Sequence, residues 1–255
     1  MLAVDAQGFT ELPAVQHASV SRLIPALVDE ALTASGLNEL KGAKAFPANT
    51  GDGVVFGFPP SRLPFVVWPF LDVLNGVLGA YNTRCAEPRI RLRAALHVGP
   101  LPDTGTTGDG NGTPRNDTHR LLDSRPARDF LSRACAETTH LVSILSHRVY
   151  EDVVLAGYTG LHPRRCVDVT ATVTGKNFTQ LAWLYIPSPS GELLKPGPPH
   201  HGTGDRHPAR RAARPGRQQG VAQRVGTGIA FAGDVGRDFH YGATVRPAGA
   251  GDDQE

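Results

Sequence analysis

The amino-acid sequence predicts an α/β (α+β) domain, because short apolar runs alternate along the chain with longer segments of helical periodicity. A second observation is size, since 255 residues with 40% hydrophobic side chains can bury one sizeable core. A third is that the alternation of strands and helices ends at about Pro187. We therefore expect one domain over residues 1–187, followed by segments of different composition.

The first half of this domain is predicted as a strand, a helix, a hairpin and a second helix. In chain order these are strand 2–4, helix 15–34, hairpin strands 46–49 and 54–58, and helix 65–83. Apolar residues recur at helical spacing in the first helix until Gly36 ends it. Thr50-Gly51-Asp52-Gly53 has the composition of a tight hairpin turn, so Asp52 is expected to project from a turn, whereas Asp5 ends the first strand.

The second half is predicted to begin with strand 90–98, in which apolar residues alternate with Arg91 and Arg93. Residues 101–112 are rich in Gly, Thr and Asp and are expected to form a loop. The elements that follow are a helix after Pro114 that carries Asn116 and Arg120, helix 127–138, strand 141–145, and a closing hairpin of strands 167–173 and 180–186.

The rest of the chain has two kinds of composition. Residues 188–224 are rich in Pro, Gly, His and Arg with almost no large apolar side chains, which predicts a disordered linker. Their basic excess lies between Arg206 and Arg224, and a charged tether is favoured over a nucleic-acid site. Residues 225–255 regain an alternating, glycine-spaced pattern, which suits either a β-prone tail that pairs with a signalling partner or a frayed end.

Bulk properties argue against several classes of protein. A formal net charge of +2 is too small to indicate a nucleic-acid partner. Three widely spaced cysteines without a Cys-x-x-Cys motif favour a reducing, cytoplasmic location. Residues 63–78 are apolar but interrupted by Pro64 and Pro69, so no membrane span is expected. Met1 leads within four residues into a strand, so no signal peptide is expected either.

Four short motifs stand in a recognisable order along the domain. They are Val4-Asp5-Ala6-Gln7-Gly8-Phe9-Thr10, Thr50-Gly51-Asp52-Gly53, Arg91-Leu92-Arg93-Ala94-Ala95-Leu96-His97-Val98-Gly99-Pro100, and Asp109-x-x-Gly112-x-x-x-Asn116-x-x-x-Arg120. In these residues and in this order the chain resembles the catalytic domain of class III nucleotidyl cyclases. The resemblance implies a ferredoxin-like, palm-type mixed sheet flanked by helices.

The resemblance assigns metal binding to Asp5 and Asp52. Their carboxylates would hold Mg²⁺ or Mn²⁺, two ions per site, because these hard cations prefer carboxylate oxygens. Two such ions can lower the charge on an attacking oxygen and hold the phosphates during in-line phosphoryl chemistry. Taken singly, each Asp also suits an ordinary structural role in a turn.

The resemblance also implies roles in catalysis and substrate binding. Asn116 and Arg120 are four residues apart, so a helix would project both catalytic side chains from one face toward the transition state. Asp109 is implied to accept a hydrogen bond from an exocyclic amine of the base. The phosphate oxygens are implied to be held by Arg93 and the backbone of Gly8, Phe9 and Thr10. In this family the two halves of the site come from different subunits, which implies a homodimer with composite sites.

The implied function is that of a cytoplasmic lyase in signalling, which converts an NTP, ATP foremost, to a 3′,5′-cyclic nucleotide and pyrophosphate. Base selection stays open, because Ala48 stands where the family has a purine-reading lysine and Lys44 lies four residues further upstream. One alternative is therefore a pyrimidine cyclase of antiviral signalling that uses UTP or CTP. The other is a catalytically weak homologue that senses nucleotides or acts as a scaffold, motivated by the linker and tail.

Overall fold

The core of the protein is a mixed sheet with helices on both faces. The computed structural model describes residues 1–85 and 87–194, so the predicted tail and most of the predicted linker lie outside the described residues. The strands are β1 (Leu2–Ala6), β2 (Ala45–Asn49), β3 (Gly53–Gly57), β4 (Leu92–Leu96), β5 (Leu141–Ser146), β6 (Cys166–Thr172) and β7 (Thr179–Tyr185). The α-helices are α1 (Ala14–Ala34), α2 (Leu63–Phe65), α3 (Leu71–Arg84), α4 (Thr113–Leu122), α5 (Arg125–Arg133) and α6 (His147–Val149).

The seven strands form one sheet in the order β2-β3-β1-β4-β5-β7-β6, which confirms the predicted fold class. β1 is antiparallel to β3 on one side and to β4 on the other. β4 and β5 are parallel, and parallel neighbours need a long crossover connection. This crossover contains α4 and α5, and it brings α4 against β1 and β4.

Different helices cover the two faces of the sheet. α1 and α3 pack on the face that carries Leu2 and Val4. α4 and α5 pack on the opposite face, to which the small side chain of Ala3 belongs. Because successive side chains of a strand point to opposite faces, Asp5 lies on the same face as Ala3, together with its cross-strand neighbour Arg93.

The helix predicted over residues 65–83 is broken near its start. A π-helical turn, Val66–Phe70, separates α2 from α3, and Trp68 inside it has extended backbone angles of φ −156° and ψ 128°. Pro69 follows, and a proline disfavours the helical region for the residue before it. The prediction of one continuous helix was therefore wrong at this point.

The stretch Pro60–Arg84 is long and apolar enough, by length and composition alone, to cross a membrane. Many of its large apolar side chains nevertheless pack into the core of the domain, although Phe65 and Trp68 are exposed. Val67, Phe70, Leu74 and Leu78 are fully buried there. Within the domain, this stretch therefore contributes to the core.

Helical structure after β5 was not predicted. α6 is followed by a π-helical turn, Tyr150–Leu155. Tyr150 stacks on Trp183 of β7, with ring centroids 3.6 Å apart. The helix predicted over residues 127–138 also ends earlier, at Arg133, because Ala134 adopts extended backbone angles. These differences lie away from the four motifs.

The chain remains attached to the domain beyond the predicted boundary at Pro187. Asn75 donates a hydrogen bond to the hydroxyl of Ser188 at 3.0 Å. The amide of Cys135 donates to the hydroxyl of Ser190 at 2.9 Å. Ser188 and Ser190, which were assigned to the linker, therefore contact the domain.

The Gly53→Ala substitution tests how closely β1 and the hairpin approach each other. A Cβ at position 53 would lie 2.0 Å from the carbonyl oxygen of Val4, so the two strands would have to separate. We expect the free energy of unfolding, measured by urea denaturation, to fall by roughly 2–4 kcal/mol. Gly76→Ala is the control, because nothing lies within 4 Å of its Cβ on the exposed side of α3. Similar stability of the two variants would contradict this close approach.

Candidate active site

Asp5 and Arg93 form a buried ion pair near the end of β1. The antiparallel register of β1 and β4 sets the two residues opposite each other. Arg93 donates from Nε to one carboxylate oxygen at 2.9 Å and from Nη2 to the other at 2.6 Å. Each side chain is only 10% exposed. The planar guanidinium therefore holds both oxygens of Asp5 in a bidentate arrangement.

Burial dominates the electrostatics of Asp5. It raises the pKa of the Asp5 carboxyl to about 7, although the charge and hydrogen bonds of Arg93 act in the opposite direction. The negative charges of Asp52 and Asp123 add to the increase. The arginine partner thus compensates the charge of the carboxylate only in part, because burial removes the carboxylate from water.

Asp52 lies in the turn between β2 and β3, directly beside the end of β1. Gly53 is opposite Asp5 in the β1 and β3 ladder, and the amide of Ala6 donates to the Asp52 carbonyl at 2.8 Å. The half-buried Asp52 carboxylate accepts a hydrogen bond from the Thr50 hydroxyl at 3.2 Å. The two acidic residues singled out in the sequence are therefore brought together on adjacent strand ends.

A cavity of about 470 Å³ opens beside these residues, a size typical of small-molecule sites. The left-handed backbone of Gly8, with φ of 72°, turns the chain away from β1 at the cavity wall. The lining includes five of the predicted site residues and one arginine that was not predicted: Gly8, Phe9, Thr10, Asp52, Arg93 and Arg128. Arg128 comes from α5 and forms an ion pair of 2.6 Å with Asp123.

Asp109 lies in the loop between β4 and α4, and its carboxylate accepts hydrogen bonds from that same loop. One oxygen accepts hydrogen bonds from the amides of Thr104, Gly105 and Thr106 at 2.6, 2.7 and 3.1 Å. The other accepts from the Thr104 hydroxyl at 3.0 Å. Desolvation opposes these hydrogen bonds, but together they lower the pKa of Asp109. The side chain implied to read the base is therefore not a free acceptor in this structure, because it holds its own loop.

The two residues implied to be catalytic, Asn116 and Arg120, lie on α4 as predicted. α4 contributes none of the described residues that line the cavity beside Asp5. Asn116 is exposed. Arg120 donates to Asp117 at 3.1 Å, and its guanidinium lies 5.7 Å from the centroid of the Phe178 ring. Within one chain, the structure therefore does not bring this pair into the cavity beside the acidic pair.

Asp117 is a candidate residue that the sequence analysis missed. It is only 8% exposed. One carboxylate oxygen accepts from Arg120 and the other from Gln180 at 3.2 Å. The i, i+3 spacing of Asp117 and Arg120 on a helix was visible in the sequence. Gln180 belongs to β7, a partner that local pattern could not reveal.

Phe46 connects the hairpin to the loop before α4. It lies at a β-bulge in β2 and has a left-handed backbone, with φ of 48°. Its carbonyl accepts a hydrogen bond from Arg115 at 3.1 Å. Its ring lies so close to Gly110 that a Cβ there would be 2.2 Å from it. The turn that carries Asp52 is thereby fixed to the loop that leads to α4.

The position expected to read a purine is occupied by Ala48, which is half-buried in β2. Lys44, further upstream, forms an ion pair with Asp29. It also lies over the ring of Phe56, 5.1 Å from the centroid. Lys44 therefore does not take the place of the missing lysine.

Known proteins resemble this chain at the level of the fold. No family model and no curated protein matches the sequence. Among solved structures, a bacterial light-regulated adenylyl cyclase matches with a TM-score of 0.50 at 11% identity, over 76% of this chain. The fold is that of a nucleotidyl cyclase catalytic domain.

This cyclase fold accounts for about half of the matched light-regulated chain, 52% of its length. The guanylyl cyclase Cya2 matches with a TM-score of 0.48 at 15% identity, over 72% of this chain and 89% of that one. The adenylyl cyclase CyaB from P. aeruginosa gives 0.43 at 15% identity, over 72% and 91%. Identities this low concern the fold and not the activity.

The acidic pair of the cyclase fold suits a divalent metal. Asp5 and Asp52 supply the hard oxygen ligands that Mg²⁺ and Mn²⁺ prefer, and Arg93 compensates the charge of the buried Asp5 only in part. In the part of the chain that the structure describes, no group of three or more His, Cys, Asp or Glu could hold an ion. A metal held by Asp5 and Asp52 would have two protein carboxylates, and water and phosphate oxygens would complete its coordination.

The titration of Asp5 provides a test that needs no ligand. Folding raises the pKa of Asp5 from 3.8 to about 7, so between these values the native state keeps a proton that the unfolded chain has lost. Stability contributed by this proton is therefore lost as pH rises from about 4 to about 7, by at most about 1.4 kcal/mol per pH unit. Asp5→Asn removes the titration, so the stability of the wild type relative to the variant, from urea denaturation, should fall across this window. A constant difference would contradict the raised pKa.

Proposed function

We propose that this domain is a nucleotidyl cyclase that converts an NTP, ATP foremost, to a 3′,5′-cyclic nucleotide and pyrophosphate. The observation that carries the proposal is the position of Asp5 and Asp52 on adjacent strand ends, beside a cavity that Asp52 and Arg93 line. Carboxylates suit divalent ions and arginine suits phosphates. The cavity thus offers complementary groups to both parts of a metal and nucleotide complex, and the cyclase fold supports this class of substrate.

The proposed reaction is an in-line displacement at the α-phosphorus. The 3′ hydroxyl loses its proton to solvent water and its oxygen forms a bond to the α-phosphorus, while the bond from that phosphorus to the bridging oxygen breaks and pyrophosphate leaves. When bound, Mg²⁺ or Mn²⁺, proposed as two ions, lowers the charge of the attacking oxygen and holds the phosphates. Arg93 and Arg128 bring positive charge to the cavity wall, and the turn of Gly8, Phe9 and Thr10 faces the same space.

The second half of the site is proposed to come from another copy of the chain. Asn116 is exposed and the side chain of Arg120 is 39% exposed, so both are accessible to a partner. A two-fold symmetric homodimer would hold two identical composite sites. Asp117 would act in each site as a positioning residue that holds the guanidinium of Arg120.

Base selection is proposed to be loose. The Asp109 carboxylate is engaged by its own loop, and Ala48 has no polar side-chain group. A site that loses a hydrogen-bonding group for the base loses selectivity more than chemistry, because metal and phosphate contacts are common to every NTP. We expect ATP to be used best but not exclusively. Strict use of UTP or CTP would favour the pyrimidine cyclase of antiviral signalling, which the alanine at position 48 motivates.

A catalytically weak homologue with a nucleotide-sensing or scaffolding role is the remaining candidate. The bidentate hold of Arg93 on Asp5 is the observation that favours it, because it occupies the carboxylate that would bind metal. A cytoplasmic location stays part of the proposal. It is consistent with the three cysteines, which are free thiols.

Turnover of the four common NTPs tests the proposed activity directly. The purified full chain, incubated with Mn²⁺ and ATP, GTP, CTP or UTP, should form a cyclic nucleotide that is identified by mass. Asp5→Asn and Asp52→Ala should each reduce turnover about 100-fold or more, because each removes a metal ligand. Asp152→Ala is the control, since this carboxylate is 60% exposed and lies outside the cavity. Near-normal turnover of Asp52→Ala would remove the two-carboxylate site.

Mixing two inactive variants tests the composite site. Asp52→Ala and Arg120→Ala should each be inactive alone, but their heterodimer would hold one intact site. With equal amounts and full subunit exchange, about a quarter of the wild-type turnover should return, since half of the dimers are mixed and one of their two sites is intact. The control mixture of Asp52→Ala with Asp5→Asn should stay inactive, because both changes affect the same half. Failure to recover activity despite demonstrated exchange would contradict the composite site.

A further inference from the structure

The Asp5 carboxylate, proposed as a metal ligand, is already held by a cation. Arg93 donates to both of its oxygens, at 2.9 and 2.6 Å, and both side chains are only 10% exposed. A divalent ion and a guanidinium on the same carboxylate would repel each other strongly, because the site is shielded from water. Metal binding at Asp5 therefore requires Arg93 to move.

The cavity beside Asp5 offers the Arg93 side chain an alternative position. Arg93 lines this cavity together with Arg128 and Asp52, the space in which the phosphates would lie. A guanidinium binds a phosphate in the same bidentate manner as it binds a carboxylate. Asp52 and Asp123 are the other acidic residues whose charges act on Asp5. They would favour the replacement of the departing arginine by another cation.

We propose that Arg93 is a positioning residue that exchanges the Asp5 carboxylate for the phosphates of the substrate, so that metal and nucleotide enter the site as a coupled pair. This inference rests on the proposed function. In the free protein, Arg93 occupies both oxygens of Asp5 and prevents a metal from binding there. When a nucleotide arrives with its metal, the arginine turns to the phosphates and the metal takes its place on the carboxylate.

The exchange avoids leaving a buried charge without a partner. Removing one member of a buried ion pair is strongly unfavourable, because the other charge remains desolvated and uncompensated. Binding of metal alone would leave the charge of Arg93 without a partner, and binding of nucleotide alone would leave the charge of Asp5 without one. When both arrive, each charge gains a new partner. By thermodynamic linkage, metal and nucleotide must then raise each other's affinity by the same factor.

Mn²⁺ binding to the nucleotide-free protein tests the exchange without turnover. The affinity of the full chain is measured from the EPR signal of free Mn²⁺ during a titration. Wild-type protein should bind weakly. Arg93→Gln, which removes the charge but keeps a polar side chain, should bind at least tenfold more tightly, whereas Arg93→Lys should stay near the wild type because it keeps the charge. Equal affinities of the wild type and Arg93→Gln would overturn the proposal.

Two controls separate the exchange from a general change in charge. Arg128→Gln also removes a cavity arginine, but Arg128 pairs with Asp123 rather than with Asp5. An equal gain in Mn²⁺ affinity in this variant would mean that any lost positive charge suffices, which would overturn the proposal. Adding Asp5→Asn to Arg93→Gln should abolish the gain, and persistence of the gain would equally overturn it.

A measurement on the wild type covers the case that Arg93→Gln does not fold. The Nε–H resonance of Arg93 in ¹H–¹⁵N spectra is assigned by its absence in Arg93→Lys. It should stay in place with Mg²⁺ alone and move when Mg²⁺ and inorganic tripolyphosphate are added together. A resonance that moves with Mg²⁺ alone, or that does not move with both, would contradict the exchange.

The outcomes also separate this inference from the proposed function. If NTPs are turned over but Mn²⁺ affinity does not respond to Arg93→Gln, only the exchange fails. If neither the wild type nor Arg93→Gln binds Mn²⁺ and no NTP is turned over, both the exchange and the two-carboxylate metal site are wrong.

Discussion

The packing of three strands around Asp5 is the constraint on which the rest of the site depends. β1 runs between β3 and β4, and the two registers set Asp5 opposite Gly53 on one side and Arg93 on the other. Because Gly53 has no side chain, the hairpin reaches contact distance and carries Asp52 with it. A slip of one residue in either ladder would turn these side chains to the other face of the sheet. The register of the strands therefore determines the position of the site, and the individual side chains depend on it.

The ion pair of Asp5 and Arg93 is better understood through function than through stability. Replacing a buried ion pair with apolar residues of similar volume is often neutral or stabilising, since desolvation offsets much of the attraction. Here burial raises the pKa of Asp5 to about 7 in spite of its partner, so the compensation is incomplete. The pair lies beside a cavity rather than in the centre of the core.

Local pattern was enough to predict the parts of the site that depend on local structure. The hairpin turn with Asp52, the strand that carries Asp5 and the helix with Asn116 lie where spacing and composition predicted them. The partner of Arg93 could not be predicted, because alternation gives the face of a strand but not its neighbour, and Asp5 is 88 positions away. The hydrogen bonds of Asp109 could not be predicted for a different reason. Residues 104–106 fold back on its carboxylate, and composition alone predicts a loop but not which amides it directs inward.

The contact between Phe46 and Gly110 has a consequence for how such a domain can diverge. A side chain at position 110 would occupy the space of the Phe46 ring, so a larger residue there needs a smaller one at position 46 and must also adopt the left-handed backbone of Gly110. The segment that presents Asp52 and the segment that leads to Asn116 are therefore not free to drift separately over evolutionary time. Substitutions at these two positions would be expected to appear together among relatives, and a loop transplanted from another domain of this fold would have to be accompanied by its own hairpin.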